Sequence, residues 1–159
     1  IELPKKLTVR ENLIVYGKLY GVKNISSKID YLVEKLRLSD FFYKKTGELS
    51  SGQKNRVSLA KALINEPNIL FLDEPSASLD PETGDYVRTF LEMLVKEQDI
   101  TILLASHNMD EVKRLCKNVL MMKDGKIIDK GSPSDLISKH GKSNLEEVFL
   151  KLNRGNNEF

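Results

Sequence analysis

An α/β fold, in which parallel strands are joined by crossover helices behind an all-helical amino-terminal unit, is what this 159-residue sequence predicts. Three observations predict it. Apolar residues up to about position 65 repeat at helical spacing; two short apolar runs, Asn68 to Asp73 and Ile100 to Ala105, then flank an amphipathic stretch; and Asp124-Gly125 stands between two further strand-like runs. A strand–helix–strand order implies parallel strands with a crossover. Two such strands and a hairpin make a thin sheet, so the pattern by itself predicts more strands on the amino-terminal side. The chain divides accordingly into residues 1–65, helical, and 66–159, the α/β part with a carboxy-terminal hairpin and helices.

Thr8 and Glu11 have the spacing of a capping box, and Val9, Leu13, Tyr16 and Tyr20 follow at helical period until Gly21. A second helix follows Ser26, with Ile29, Leu32, Val33 and Leu36 on one face. A third runs from near Ser51 to about Asn65, with Val57, Ala60 and Ile64 aligned beside Leu59 and Leu63. The run from Asn68 to Asp73, after Pro67, suits a strand buried on both faces, and Ile100 to Ala105 suits a second. Between them Asp80 caps a helix with Pro81 at its first position, and Val87, Phe90, Leu91, Leu94 and Val95 form its apolar stripe. A helix over Asn108 to Cys116 precedes a hairpin of Val119 to Lys123 and Lys126 to Asp129, whose Asp124-Gly125 pair is the strongest hairpin signal in the chain. Ser132-Pro133 starts a short helix; Asn144 and Glu147 cap a last one carrying Leu145, Val148, Phe149 and Leu152. Residues 153 to 159 are expected to fray.

Composition narrows the functional classes. A net charge of +2 is too near zero to point to nucleic acid or an anionic membrane surface, and the pairs Lys5-Lys6 and Lys44-Lys45 read as solvated face. The single cysteine, Cys116, excludes an internal disulfide and a cysteine-based metal site; its place beside Val112 and Leu115 predicts a buried, inert thiol. His107 and His140 lie too far apart for ligand spacing. No apolar run approaches the roughly 20 residues that span a bilayer, and Ile1 opens no signal peptide. Any membrane-spanning part of the system is therefore expected in another chain.

Chemistry concentrates in four segments. Ile69-Leu70-Phe71-Leu72 leads into Asp73-Glu74-Pro75, placing two acids at the carboxyl end of a strand, where open α/β sheets bind ligands. Neighbouring residues on a strand point opposite ways. One carboxylate can then hold Mg²⁺ while the other orients or deprotonates a water; the same residues serve equally as a polar turn. Leu49-Ser50-Ser51-Gly52-Gln53 opens the third helix, whose first N–H groups and dipole offer an anion site, although serine there is more often an ordinary cap. Ser78-Leu79-Asp80-Pro81 reads as a turn and cap. Ser106-His107 follows the second strand at the same sheet edge, where a histidine can donate to a phosphate oxygen or simply close a loop. His140, between Lys139 and Gly141, reads as plain surface.

In this order and at these distances, the four segments resemble the ATP-binding-cassette ATPase family. Leu49 to Gln53 is similar to its signature motif, Ile69 to Asp73 to Walker B, Glu74 to the catalytic glutamate, Ser78-Leu79-Asp80 to the D-loop and His107 to the switch histidine. Leu7 to Leu13 resembles the entry to the helical subdomain that follows the Q-loop. Two departures stand out. Ser51 occupies a position where the signature usually has glycine, and no Gly-x-x-x-x-Gly-Lys-Ser/Thr phosphate loop (Walker A) occurs in these residues, so by the family pattern the chain begins just after the Q-loop.

The resemblance implies a partial P-loop NTPase-like parallel sheet plus a helical subdomain, ATP and Mg²⁺ as ligands, and a head-to-tail dimer with a second ATPase subunit. It assigns Ser50, Ser51, Gly52 and Gln53 to the γ-phosphate of ATP held by the partner, Asp73 to Mg²⁺, Glu74 to the attacking water, His107 to the γ-phosphate and Asp80 to communication across the dimer. It further implies transmembrane permease subunits as partners, an ATPase peripheral on the cytoplasmic face of the cell membrane, and no nucleic acid. The tail from Asp124 to Leu152 is similar to type-2 exporter ATPases, so export is expected over import. Without the phosphate loop, residues 1–159 alone are expected not to turn over ATP. Two other readings stand beside this one: a non-catalytic cassette remnant serving as an interaction module, and a cassette ATPase acting on ribosomes or DNA.

Overall fold

The computed structural model describes residues 3–98 and 100–154. The chain divides into two compact units, Ile1–Leu103 and Leu104–Phe159. The first unit begins with three helices, α1 (Val9–Leu19), α2 (Ile25–Lys35) and α3 (Ser51–Leu63), which pack on one another. Local chemistry sets where they start. The Thr8 hydroxyl accepts the Glu11 amide at 3.1 Å and the Glu11 carboxylate accepts the Thr8 amide at 2.8 Å, closing the expected capping box. Gly21, at φ +67°, lets the chain leave α1 in the left-handed region. The second helix starts at Ile25, two residues ahead of the expected boundary, with Asn24 rather than Ser26 at the cap position. Leu13, Leu32, Leu36, Val57 and Ile64 are all fully buried, so the helical stripes read from the sequence meet in one core.

Strand β1 (Ile69–Asp73), helix α4 (Pro81–Glu97) and strand β2 (Thr101–Ala105) follow. The two strands pair in a parallel, two-stranded sheet with α4 as the crossover, and the Thr101 amide donates to the Asn68 carbonyl at 2.8 Å. Val87, Phe90, Leu91 and Leu94 bury the expected stripe of α4. The strands depart from expectation. Leu70 is buried, but Ile69 is 58% and Phe71 73% exposed, and Leu103 on β2 is 56% exposed. An apolar run signals that a strand suits two covered faces; the described residues cover β1 on the Leu70 side alone.

The second unit holds α5 (Met109–Leu115), the hairpin β3 (Val119–Lys123) and β4 (Lys126–Gly131), α6 (Pro133–His140) and α7 (Leu145–Arg154). Asp124 and Gly125 take φ of 50° and 73°, the two left-handed positions that a tight hairpin turn with the right twist demands. Met121 pairs with Asp129 and Met122 with Ile127, so Ile128 is the extra residue of a bulge. Val112, Val119, Met121, Leu136, Leu145 and Val148 form the core of this unit. The Asn144 side chain accepts the Glu147 amide at 2.9 Å, capping α7 as expected. That helix runs on to Arg154, and the Asn153 carbonyl accepts from Lys123 at 2.7 Å, so the fraying expected from residue 153 does not hold there; 155–159 lie outside the described residues. Cys116 is half-buried and burial pushes its thiol up, which suits the inert role expected of it.

His140 is not plain surface. Its Nε2 lies 2.7 Å from Asp129 Oδ2, with the two side chains 14% and 8% exposed, and Lys139 donates to the other Asp129 oxygen at 2.7 Å. The last turn of α6 brings both basic residues to β4, a long-range approach that the spacing of Lys139 and His140 alone cannot show. The hydrogen bonds from Lys139 and then His140 hold the Asp129 carboxyl well below the usual carboxylate range. A depressed carboxyl stabilises the fold above its unfolded value of about 3.9, and that contribution fades as pH falls from there toward the folded value. The stability difference between the native chain and Asp129→Asn, followed by urea midpoint, is therefore expected to shrink as the pH falls below about 4. A difference that persists undiminished well below about pH 3 would contradict the pairing.

Candidate functional site: a signature-helix and acidic-turn patch, with a histidine junction

Three of the four sequence segments converge in the first unit. Ser50 caps α3: its hydroxyl accepts the Gln53 amide at 3.2 Å, and the Gln53 side chain accepts the Ser50 amide at 3.0 Å. The ordinary capping role thus operates here. It leaves the amides of Ser51 and Gly52 in the first turn, ahead of any intrahelical acceptor, beside the positive end of the helix dipole. Ser50 and Ser51 are exposed and Gly52 is buried. Gly52 is buried against the turn after β1. A Cβ on Gly52 would stand 2.7 Å from the Ser78 carbonyl oxygen, closer than real Cβ atoms come, and 3.0 Å from Leu79 Cδ2. Glycine here is a requirement of packing.

Asp73 ends β1 and is exposed, while Glu74 is half-buried. The expectation that strand alternation sends the two acids opposite ways does not reach Glu74, because the strand stops at Asp73 and Glu74 adopts φ 48°. Ser78, at φ 64°, is left-handed as well. Left-handed conformations at residues with a side chain persist where the surroundings over-determine them. The turn is closed by Ala77 N donating to the Glu74 carbonyl at 3.1 Å and Leu79 N to the Ser76 carbonyl at 3.3 Å. Across it reaches Asn55 of α3, whose Nδ2 donates to the Ala77 carbonyl at 3.1 Å and lies 3.5 Å from the Glu74 carbonyl. Asp80 then caps α4 by accepting the Thr83 amide at 3.0 Å, and that bond holds its carboxyl below the usual range.

His107 belongs to the second unit, at the junction of β2 and α5, and is exposed. Its neighbours on both sides are held. Ser106 Oγ donates to Glu111 Oε2 at 2.7 Å and accepts the Asn108 amide at 3.1 Å; the Asn108 side chain accepts the amides of Asp110 and Glu111, each at 3.1 Å. Glu111 is buried, with its Oε1 unpartnered among the described residues. Removing it strands the Ser106 hydroxyl without its acceptor. Glu111→Ala is expected to cost about 1–3 kcal/mol, read as a lowered denaturant midpoint; an unchanged midpoint would mean that Ser106 has another acceptor.

The comparisons with known proteins fall on this same ground. A family model described as ABC transporter matches residues 1–77. The ABC transporter ATP-binding protein NatA of Bacillus subtilis is 35% identical over 153 residues, covering 94% of this chain and 62% of its own length. The chain is similar to the ATP-binding subunits of ABC transporters. The Nod factor export ATP-binding protein I of Rhizobium sp. (strain N33) is 38% identical over 149 residues, covering 92% of the chain and 49% of that relative. The methionine import ATP-binding protein MetN 1 of Bacillus cereus (strain ATCC 10987 / NRS 248) is 39% identical over 140 residues, covering 86% of the chain and 40% of that relative. The chain therefore spans between 40% and 62% of the length of these curated relatives. A solved ATP-binding cassette, a dimer in a post-hydrolysis state bound to ADP and Pi, superposes with a TM-score of 0.76 at 25% identity, over 82% of this chain and 58% of that one. The mixed α/β architecture with its parallel pair is the P-loop NTPase fold of the ABC ATPases.

Two residues of the site carry no signal in the sequence. Asn55 lies inside the signature helix and carries no motif of its own there. Glu111 follows His107 on the next helix and reads as an ordinary first-turn acid, a favourable place for any carboxylate. Burial distinguishes Glu111, and the reach across to the turn after β1 distinguishes Asn55; both are tertiary facts.

Proposed function

We propose that this protein is the ATP-binding subunit of an ABC transporter, hydrolysing ATP as a head-to-tail dimer to drive substrate across a membrane. The observation that carries the reading is the packing of Gly52 on Ser78, which joins the start of the signature helix to the acidic turn in one patch. Exposure of Ser50 and Ser51 supports their reaching ATP held by a partner subunit, with Gly52 and Gln53 beside them. Among the described residues no three His, Cys, Asp or Glu side chains gather as a metal-binding group. Mg²⁺ asks for fewer: it keeps several waters and binds through one or two carboxylates together with the substrate phosphates. The exposed Asp73 at the end of β1 fits that demand. The metal would supply neutralisation of phosphate charge.

Glu74 accepts the proton of the attacking water as it adds to the γ-phosphorus and ADP leaves. His107 donates to a γ-phosphate oxygen, and Asp80 couples the two sites across the dimer. Residues 1–159 alone are inactive in this reading, since they carry no glycine-lysine loop to hold the β- and γ-phosphates. Residues 1–65 form the signature-bearing helical subdomain that meets permease subunits, and 66–159 belong to the catalytic core.

Among the described residues no helix is long and apolar enough to cross a membrane, which agrees with a peripheral subunit on the cytoplasmic face. Export is the proposed direction. The match to the Nod factor export protein extends over 149 residues against 140 for the methionine import protein. The test is phosphate release from Mg·ATP by the protein expressed from its whole gene, alone and with the permease encoded beside it. Turnover that rises more steeply than protein concentration supports a dimer. Tight binding to ribosomes or DNA without ATP turnover would overturn the reading.

A further inference from the structure

We propose that Asn55 is a positioning residue for the acidic turn, and that through it the signature helix sets the geometry of Glu74 in the same chain. The inference rests on the functional reading above, in which Glu74 acts on water, but its structural half stands apart from that. Gly52 and Asn55 are one helical turn apart on α3 and so share a face. That face meets the turn twice: Gly52 lies against the Ser78 carbonyl, and Asn55 donates to Ala77 and reaches the Glu74 carbonyl. The turn it grips holds two left-handed residues, Glu74 and Ser78, neither of them glycine. Two backbone bonds close the turn, Ala77 to Glu74 and Leu79 to Ser76. The Asn55 amide adds a side-chain donor that spans it from outside.

A carboxamide suits this place because both of its targets are carbonyl oxygens and its NH₂ carries two donors. Aspartate has the same shape and no donor when ionised, so it would set negative oxygens against those carbonyls. Any displacement of α3 by ligand at Ser50 to Gln53 is thereby passed to Glu74 through a contact of known chemistry. The signature and the acid then respond together within one subunit.

The test uses the protein expressed from its whole gene, with Asn55→Asp, Asn55→Gln and the native residue compared. Hydrogen exchange at the Ala77 and Leu79 amides is read alongside ATP turnover. Asn55→Asp is expected to speed exchange at both amides and to lower kcat roughly 10- to 100-fold, the effect of a misplaced reacting group, with KM for ATP moved less than about twofold. Asn55→Gln, which keeps the donor, is expected to recover most of both. Unchanged exchange in Asn55→Asp overturns the proposal, as does a kcat loss that tracks the unfolding midpoint and is not recovered by Gln. Should the native protein show no turnover at all, the functional reading fails, and exchange at Ala77 and Leu79 still decides whether Asn55 holds the turn.

Discussion

In the protein expressed from its whole gene, Glu74→Gln is expected to lower ATP turnover by about 10²- to 10⁴-fold, the usual contribution of a positioned general base, while nucleotide binding survives. Glutamine has nearly the same volume and keeps an oxygen acceptor, but it cannot take a proton from water. The two bonds that close the turn, from the Ala77 amide to the Glu74 carbonyl and from the Leu79 amide to the Ser76 carbonyl, are backbone bonds and survive the substitution. Asp73 stays in place at the end of β1. The two acids therefore separate experimentally. Glu74→Gln should retain Mg²⁺-dependent binding of a fluorescent ATP analogue and lose phosphate release, whereas Asp73→Asn should weaken the Mg²⁺ dependence itself. Turnover within threefold of the native rate in Glu74→Gln would remove Glu74 from the reaction.

The second large effect is structural. Leu136→Ala is expected to destabilise the unit of residues 104–154 by about 2–5 kcal/mol, the range for a buried leucine whose cavity only partly collapses. Leu136 has no exposed surface and sits in a core built on six buried residues, so no other side chain can readily take its place. A loss of that size is a large share of the roughly 5–15 kcal/mol by which a domain is stable. Hydrogen exchange should then accelerate in β3, β4, α6 and α7, while α1, α2 and α3, whose core is built on Leu13, Leu32, Leu36, Val57 and Ile64, keep their protection. Uniform acceleration along the chain would show that the two units open as one.

Much of the scaffold could be read directly. The Thr8, Ser50, Asp80, Ser132 and Asn144 caps each form, because a cap is a bond between residues two or three apart and needs nothing from the rest of the fold. The Asp124-Gly125 hairpin forms for the same reason. Burial of the strands was misread, since an apolar run states what a strand tolerates on its faces and Ile69, Phe71 and Leu103 remain exposed here. The setting of His140 was misread because its partner, Asp129, lies on a different element.

What the sequence alone determined was the element order, the parallel crossover, most helix starts and the family that the four chemical segments resemble. All of these follow from spacing along the chain. Tertiary structure alone decided that Glu74 turns left-handed out of its strand, that Gly52 must lack a side chain because Ser78 lies against it, and that Asn55 and Glu111 support the segments beside the acids and His107. The physical reason is one of range: caps and periods are set by neighbours a turn away, whereas close approach and buried hydrogen bonds depend on residues that meet only after the chain has folded.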